Sequence, residues 1–89
     1  MNSVTTERFR RAQGALPVDV QRRALRAYAI FRQDPDHPGL RFKPVHATRP
    51  IYSARIGLGY RALAVRDGGT WVWFWIGNHG DYDRLLRNL

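Results

Sequence analysis

The chain has 89 residues, 15 basic and 7 acidic, giving a formal charge of +8, and it contains no cysteine. That length makes one small domain with a thin core, burying about 60–65% of its unfolded surface, and a 44% hydrophobic, 12% aromatic composition excludes a disordered tail. Disulfides and thiolate metal sites are excluded as well, and the longest apolar run, Trp71–Ile76, is too short to cross a bilayer as a helix.

The N-terminal MNSVTTERFRR lacks the charged-then-apolar pattern of a signal peptide. Residues 5–14 are expected to form a short helix, with Thr5 or Thr6 as its cap, Glu7 in its first turn and Gly14 at its end. Pro17 at a favoured first-turn position, with Asp19 behind it, opens the longest helix, residues 17–33. Along that helix Val20, Ala24, Ala27, Tyr28 and Phe31 fall on one face and Arg22, Arg23 and Arg26 on the other. The cluster Asp34-Pro35-Asp36-His37-Pro38-Gly39 ends it.

After Gly39 the hydrophobic period changes from helical to two. Leu40–Val45 is the first expected strand, with Pro44 marking an edge or a bulge. Ile51–Ile56 and Tyr60–Arg66 follow, joined at Gly57-Leu58-Gly59. A second turn, Asp67-Gly68-Gly69, leads into Trp71–Ile76, which is apolar on both faces and therefore central or covered on both sides. Strict alternation would put Trp71, Trp73 and Trp75 on one face, as core or as a stacking platform for bases. Residues 80–89 fit a terminal helix with Tyr82, Leu85, Leu86 and Leu89 turned inward. The expected fold is α+β in a single domain, residues 1–89: two N-terminal helices on an antiparallel sheet of about four strands, with a short C-terminal helix.

Fourteen of the 15 bases are arginine and Lys43 is the lone lysine. A guanidinium fork matches phosphate or carboxylate in a bidentate way, and so high a charge on so small a surface favours polyanions. Period two sets Arg55 and Arg61 on either side of one hairpin, where two close guanidinium groups call for an anion between them. The plainer alternative pairs one of them with Asp67 or Asp81 and leaves the other solvated. His79 follows the central strand, and Tyr82 stands one helical turn further on. An imidazole there can act as general acid or base, although a surface or capping histidine satisfies the same pattern. His37 and His46 lie in loop contexts and are not read as catalytic. Three scattered histidines without paired carboxylates make no metal ligand set, and no cofactor motif is present.

This order of elements resembles the RelE/ParE toxin superfamily, specifically its RelE-like branch of small bacterial toxins. The resemblance runs from the LP-initiated helix through FRQDP and LRFKPVHATRP to IYSARIGLGYRALAV and WFWIGNHGDYDRLL. Its most specific pieces are Tyr-x-x-Arg-x-x-x-x-Tyr-Arg, Tyr52 to Arg61, and Ile-Gly-x-His-x-x-Tyr-Asp, Ile76 to Asp83. The resemblance implies a cytoplasmic toxin of a type II toxin–antitoxin system, held inactive by a cognate antitoxin; on charge grounds, an acidic amphipathic helix of that partner is expected to mask the face bearing Arg55, Arg61 and His79. It implies a metal-independent endoribonuclease that cuts mRNA on the ribosome and inhibits translation. His79, Arg61, Arg55 and Tyr82 would form its catalytic set, without metal, cofactor or membrane. Two departures stand out: Ser53 occupies a position where some members carry a catalytic lysine, and the usual N-terminal strand is expected to be short or absent. The alternatives are a ParE-like inhibitor of DNA gyrase, with no need for His79, and a non-catalytic basic module binding RNA or protein.

Overall fold

The second half of the chain folds on itself as two successive hairpins, and the first half wraps one face of the resulting sheet. The computed structural model describes residues 2–89. In chain order these form β1 (Asn2–Thr5), α1 (Glu7–Gly14), α2 (Val18–Gln33), a single 3-10 turn (Pro38–Leu40), β2 (Lys43–Pro44), β3 (Ile51–Ile56), β4 (Tyr60–Asp67), β5 (Thr70–Asn78) and α3 (His79–Arg87). The sheet order is β1-β5-β4-β3-β2, with every pair antiparallel except β1 and β5. The α+β fold expected from the sequence is therefore present, with five strands.

β1 is the strand that the sequence leaves faint. It is four residues long, reads Asn-Ser-Val-Thr and lies at an edge, so no alternating apolar signal marks it. Side chains compensate: the Trp73 indole N–H donates to Ser3 Oγ at 3.1 Å, and Ser3 Oγ also meets the Tyr28 hydroxyl at 2.9 Å. Thr5 belongs to this strand and Thr6 caps α1, accepting from the Phe9 N–H at 3.0 Å. The other edge is shorter than expected. Pro38-Gly39-Leu40 closes a 3-10 turn, Arg41 takes a left-handed φ of 47°, and Pro44 has no N–H to extend a ladder, so β2 is only two residues long.

The core divides into two. Phe9 of α1 and Ala24 and Phe31 of α2 pack with Leu40 against Ala54, Ile56, Ala62, Ala64, Trp73 and Ile76 of the sheet. Aromatic rings fill this layer: Phe31 lies 4.9 Å from Phe42 and 5.0 Å from Trp73, both edge-on. On the opposite face Ile51, Leu63 and Tyr82 form a second buried group, flanked by Val45, Phe74, Trp75, Leu85 and Leu86. Leu89, expected to turn inward, lies beyond the end of α3 and is exposed, which corrects that expectation.

One irregularity divides the tryptophans between these layers. Ala64 pairs with Trp73 and Leu63 with Trp75, which leaves Phe74 without a partner as a β-bulge. The extra residue reverses the alternation beyond it. Trp71 and Trp73 face the helices and Trp75 faces α3, which corrects the expectation of three tryptophans on one face.

Trp75 then lies along the strand over Gly77, where a Cβ would stand 2.7 Å from the indole ring. Gly77→Ala is expected to cost about 1–3 kcal/mol through overpacking, read as a lowered midpoint in thermal unfolding. Tyr82→Ala should cost about 3–5 kcal/mol, whereas Tyr82→Phe keeps the ring volume and should cost less than about 1.5 kcal/mol; chemical denaturation of the two variants checks this.

Candidate functional site

The bulge and the caps bring His79 to the tip of the β3–β4 hairpin. Asn78 ends β5 and caps α3, its side chain accepting from the Asp81 N–H at 2.8 Å, so the helix starts at His79 rather than at Gly80. The backbone N–H of His79 donates to the Gly59 carbonyl at 2.8 Å, tying the start of α3 to the turn between β3 and β4. The Nδ1 of His79 lies 3.1 Å from Asp83 Oδ2, one helical turn on. With the Nδ1 proton shared with that carboxylate, Nε2 of the neutral ring is left as an acceptor. Asp81 goes elsewhere, pairing with Arg84. The imidazole is about half exposed, and the Tyr82 ring packs edge-on to it at 5.6 Å between centroids.

Tyr82 itself is 7% exposed and sits in the second core beside Leu63 and Ile51. Its ring is a buried support under His79, not a free platform on which a base stacks.

Register sets the cations. Arg55 and Arg61 are direct cross-strand partners, and Arg61 in turn opposes Gly77. Directly opposed residues of antiparallel strands project from one face, so the two arginines lie side by side on the face where Trp75 covers Gly77. Neither has a carboxylate within 4.0 Å among the described residues, and the alternative pairing with Asp67 or Asp81 is not formed. Arg55 Nε donates to the Gly57 carbonyl at 3.2 Å and Arg61 Nη1 to the Tyr60 carbonyl at 2.9 Å. Each guanidinium keeps further N–H donors.

The next row along the same face is Lys43, Ser53, Leu63 and Trp75, with Lys43 directly opposite Ser53. Ser53 is buried at 2% exposure, too deep to present a cation, while exposed Lys43 stands beside it on the edge strand. Sequence reading placed Lys43 on a strand but not beside Ser53, because the register of that strand against β3 leaves no mark in the pattern.

The remaining histidines are held by backbone groups. His46 Nδ1 accepts from the N–H groups of Thr48 and Arg49, leaving Nε2 to donate to the Leu89 carbonyl at 3.2 Å. His37 Nδ1 accepts from the Gly39 N–H at 3.1 Å. Among the described residues no three His, Cys, Asp or Glu side chains cluster, and no helix is long and apolar enough to cross a membrane. A cavity of about 240 Å³ lies under α1 and α2 among Phe9, Phe31, Trp73 and Ile76, on the other face of the sheet from Arg55 and Arg61. It is an apolar gap between helices and sheet and contributes no chemistry to the site.

Known structures share this fold. The RelB–RelE antitoxin–toxin complex from Methanococcus jannaschii superposes with a TM-score of 0.73 at 16% identity, covering 91% of this chain and 96% of that one. YafQ from E. coli strain BL21(DE3) gives the same TM-score and coverage at 6% identity. The toxin–antitoxin complex RelBE2 from Mycobacterium tuberculosis is 25% identical with a TM-score of 0.58, over 88% of this chain and 96% of that one. No curated protein matches the sequence. The model of the ParE-like toxin domain matches residues 18–84, which span α2, the hairpins and most of α3. With that match over three quarters of its length and the shared fold, the chain belongs to the ParE-like toxin family of the RelE/ParE superfamily.

Proposed function

We propose that this toxin is a ribosome-dependent endoribonuclease that cleaves mRNA in the cytoplasm and inhibits translation, and that a cognate antitoxin keeps it inactive. The observation that supports the reading is a carboxylate-held imidazole tied to the tip of the hairpin on which two arginines free of carboxylate partners oppose each other. In this reading His79 Nε2 takes the proton of a ribose 2′-OH. The 2′-oxygen attacks the adjacent phosphorus, the bond to the 5′-oxygen breaks, and the leaving oxygen takes a proton from water. The products are a 2′,3′-cyclic phosphate and a 5′-hydroxyl. Arg55 and Arg61 stabilise the charge that builds on the phosphorane, and Asp83 and Tyr82 hold the imidazole in place. Lys43 supplies a third cation on that face, beside the position that Ser53 leaves uncharged.

The antitoxin reading rests on likeness to the RelB–RelE and RelBE2 assemblies. An acidic segment laid over Arg55, Arg61 and His79 would neutralise the toxin by occupying the phosphate site. A second reading, inhibition of DNA gyrase, is favoured by the match to the ParE-like domain. It differs in needing no general base.

His79→Ala is expected to lower mRNA cleavage about 10²–10⁴-fold, the usual worth of a general acid or base, and to relieve growth arrest on induction. Mapping of cleavage ends in induced cells checks both. Arrest without cleavage, unchanged in His79→Ala, would move the target to gyrase. Arg61→Gln should impair cleavage while leaving the fold intact, as judged by circular dichroism.

A further inference from the structure

Beyond the end of β2 the edge of β3 is uncovered, and a cationic notch occupies the gap. β2 pairs only with Tyr52 and Ser53, so the β3 edge from Arg55 onward has no neighbouring strand. The 3-10 turn and α2 close around it instead. The resulting notch has a volume of about 200 Å³, and Arg23, Arg26, His37 and Arg55 bring its polar side chains. Ile30, Leu40 and Gly57 complete the wall. No carboxylate belongs to this lining. Arg23 has one acidic partner, Asp19, at a distant 4.0 Å, and Arg26 and Arg55 have none among the described residues.

The notch is a shaped feature. Gly57 has a φ of 67°, and a Cβ there would lie 3.0 Å from Arg23 Cδ. The bare glycine lets the Arg23 stem lie against the hairpin and holds its guanidinium at the rim. His37 Nδ1 accepts from Gly39, so the neutral ring keeps Nε2–H as a donor. The lining thus brings donors and no acidic side chain, the chemistry of an anion site. Arg55 belongs to both features: it pairs with Arg61 across the sheet and lines the notch.

We infer that this notch binds a backbone phosphate of single-stranded RNA flanking the phosphodiester held between Arg55 and Arg61, leading the strand around the β3 edge toward α2. The inference rests on the nuclease reading for its ligand, but its test measures binding and not cleavage. The full chain carrying His79→Ala is titrated with a short labelled single-stranded RNA across a range of salt. Adding Arg23→Gln and Arg26→Gln is expected to weaken binding about 10-fold and to flatten the salt dependence by about one to two released counterions. The same charge change at Arg8 and Arg32, outside the notch, is expected to cost less than about 3-fold, since only screened long-range attraction is lost. Ring signals of His37, but not of His46, should shift on RNA addition. Arg26→Gln alone serves if the double variant fails to fold.

Equal losses for the two pairs would reduce the notch to diffuse charge and overturn the inference. So would an unmoved His37 signal, or displacement of the RNA by polyglutamate at equal charge concentration, which would assign the notch to acidic protein. Loss of cleavage in His79→Ala with RNA affinity indifferent to the notch would sink the notch and leave the nuclease reading intact. Notch-dependent RNA binding with no cleavage by the wild type would do the reverse.

Discussion

The unpaired residue in β5 is the constraint on which the rest of this structure depends. Because Phe74 sits opposite the step between Leu63 and Ala64, side-chain parity reverses within a single strand. Two tryptophans go to the helix-covered layer and one to the layer under α3. A small chain thereby builds apolar contacts on both faces of its central strand. The reversal also sets the surroundings of the candidate site. It puts Trp75 over Gly77 on the face that carries Arg61, and delivers His79 to the hairpin tip.

Charge distribution is the second organising fact. Among the described residues only Arg11, Arg23 and Arg84 of the 14 arginines lie within 4.0 Å of a carboxylate. Some of the others are absorbed by aromatic faces, as with Arg66 over Trp71 at 5.5 Å and Arg32 over Tyr28 at 6.0 Å. Arg55, Arg61, Arg26 and Lys43 have neither kind of partner. Exposed ion pairs contribute little to stability, so the missing pairs cost the fold little, and the surplus of base leaves a surface suited to anions. The acids that do pair act locally, and Asp83 is the one that engages a histidine, His79, through its Nδ1.

Several parts of the fold were legible in the residues. Ile51–Ile56 coincides with the strand that its period-two pattern predicts, and α2 begins one residue after Pro17 and carries its apolar stripe inward. Gly57 and Gly68 adopt positive φ at the two turns where glycine was expected to punctuate the chain. The likeness carried by Tyr52 to Arg61 and by Ile76 to Asp83 agrees with the toxin-family match. β1 was hard to see because an edge strand held by Ser3 and by backbone ladders needs no apolar alternation. The bulge was invisible for a different reason: one extra residue in an all-apolar strand leaves composition and pattern unchanged while inverting every side chain beyond it.

What the sequence by itself determined are the properties set by local spacing and by sums over residues: the helical stripe of α2, the two hairpins, the cationic balance, and a histidine directly after the central strand. Only the tertiary structure decided which of these residues meet. The opposition of Arg55 and Arg61, the placing of Lys43 beside buried Ser53, and the notch shared by Arg23, Arg26, His37 and Arg55 all depend on strand register and on where β2 stops. Those quantities come from packing between segments far apart in the chain, where a shift of one residue moves every side chain to the opposite face.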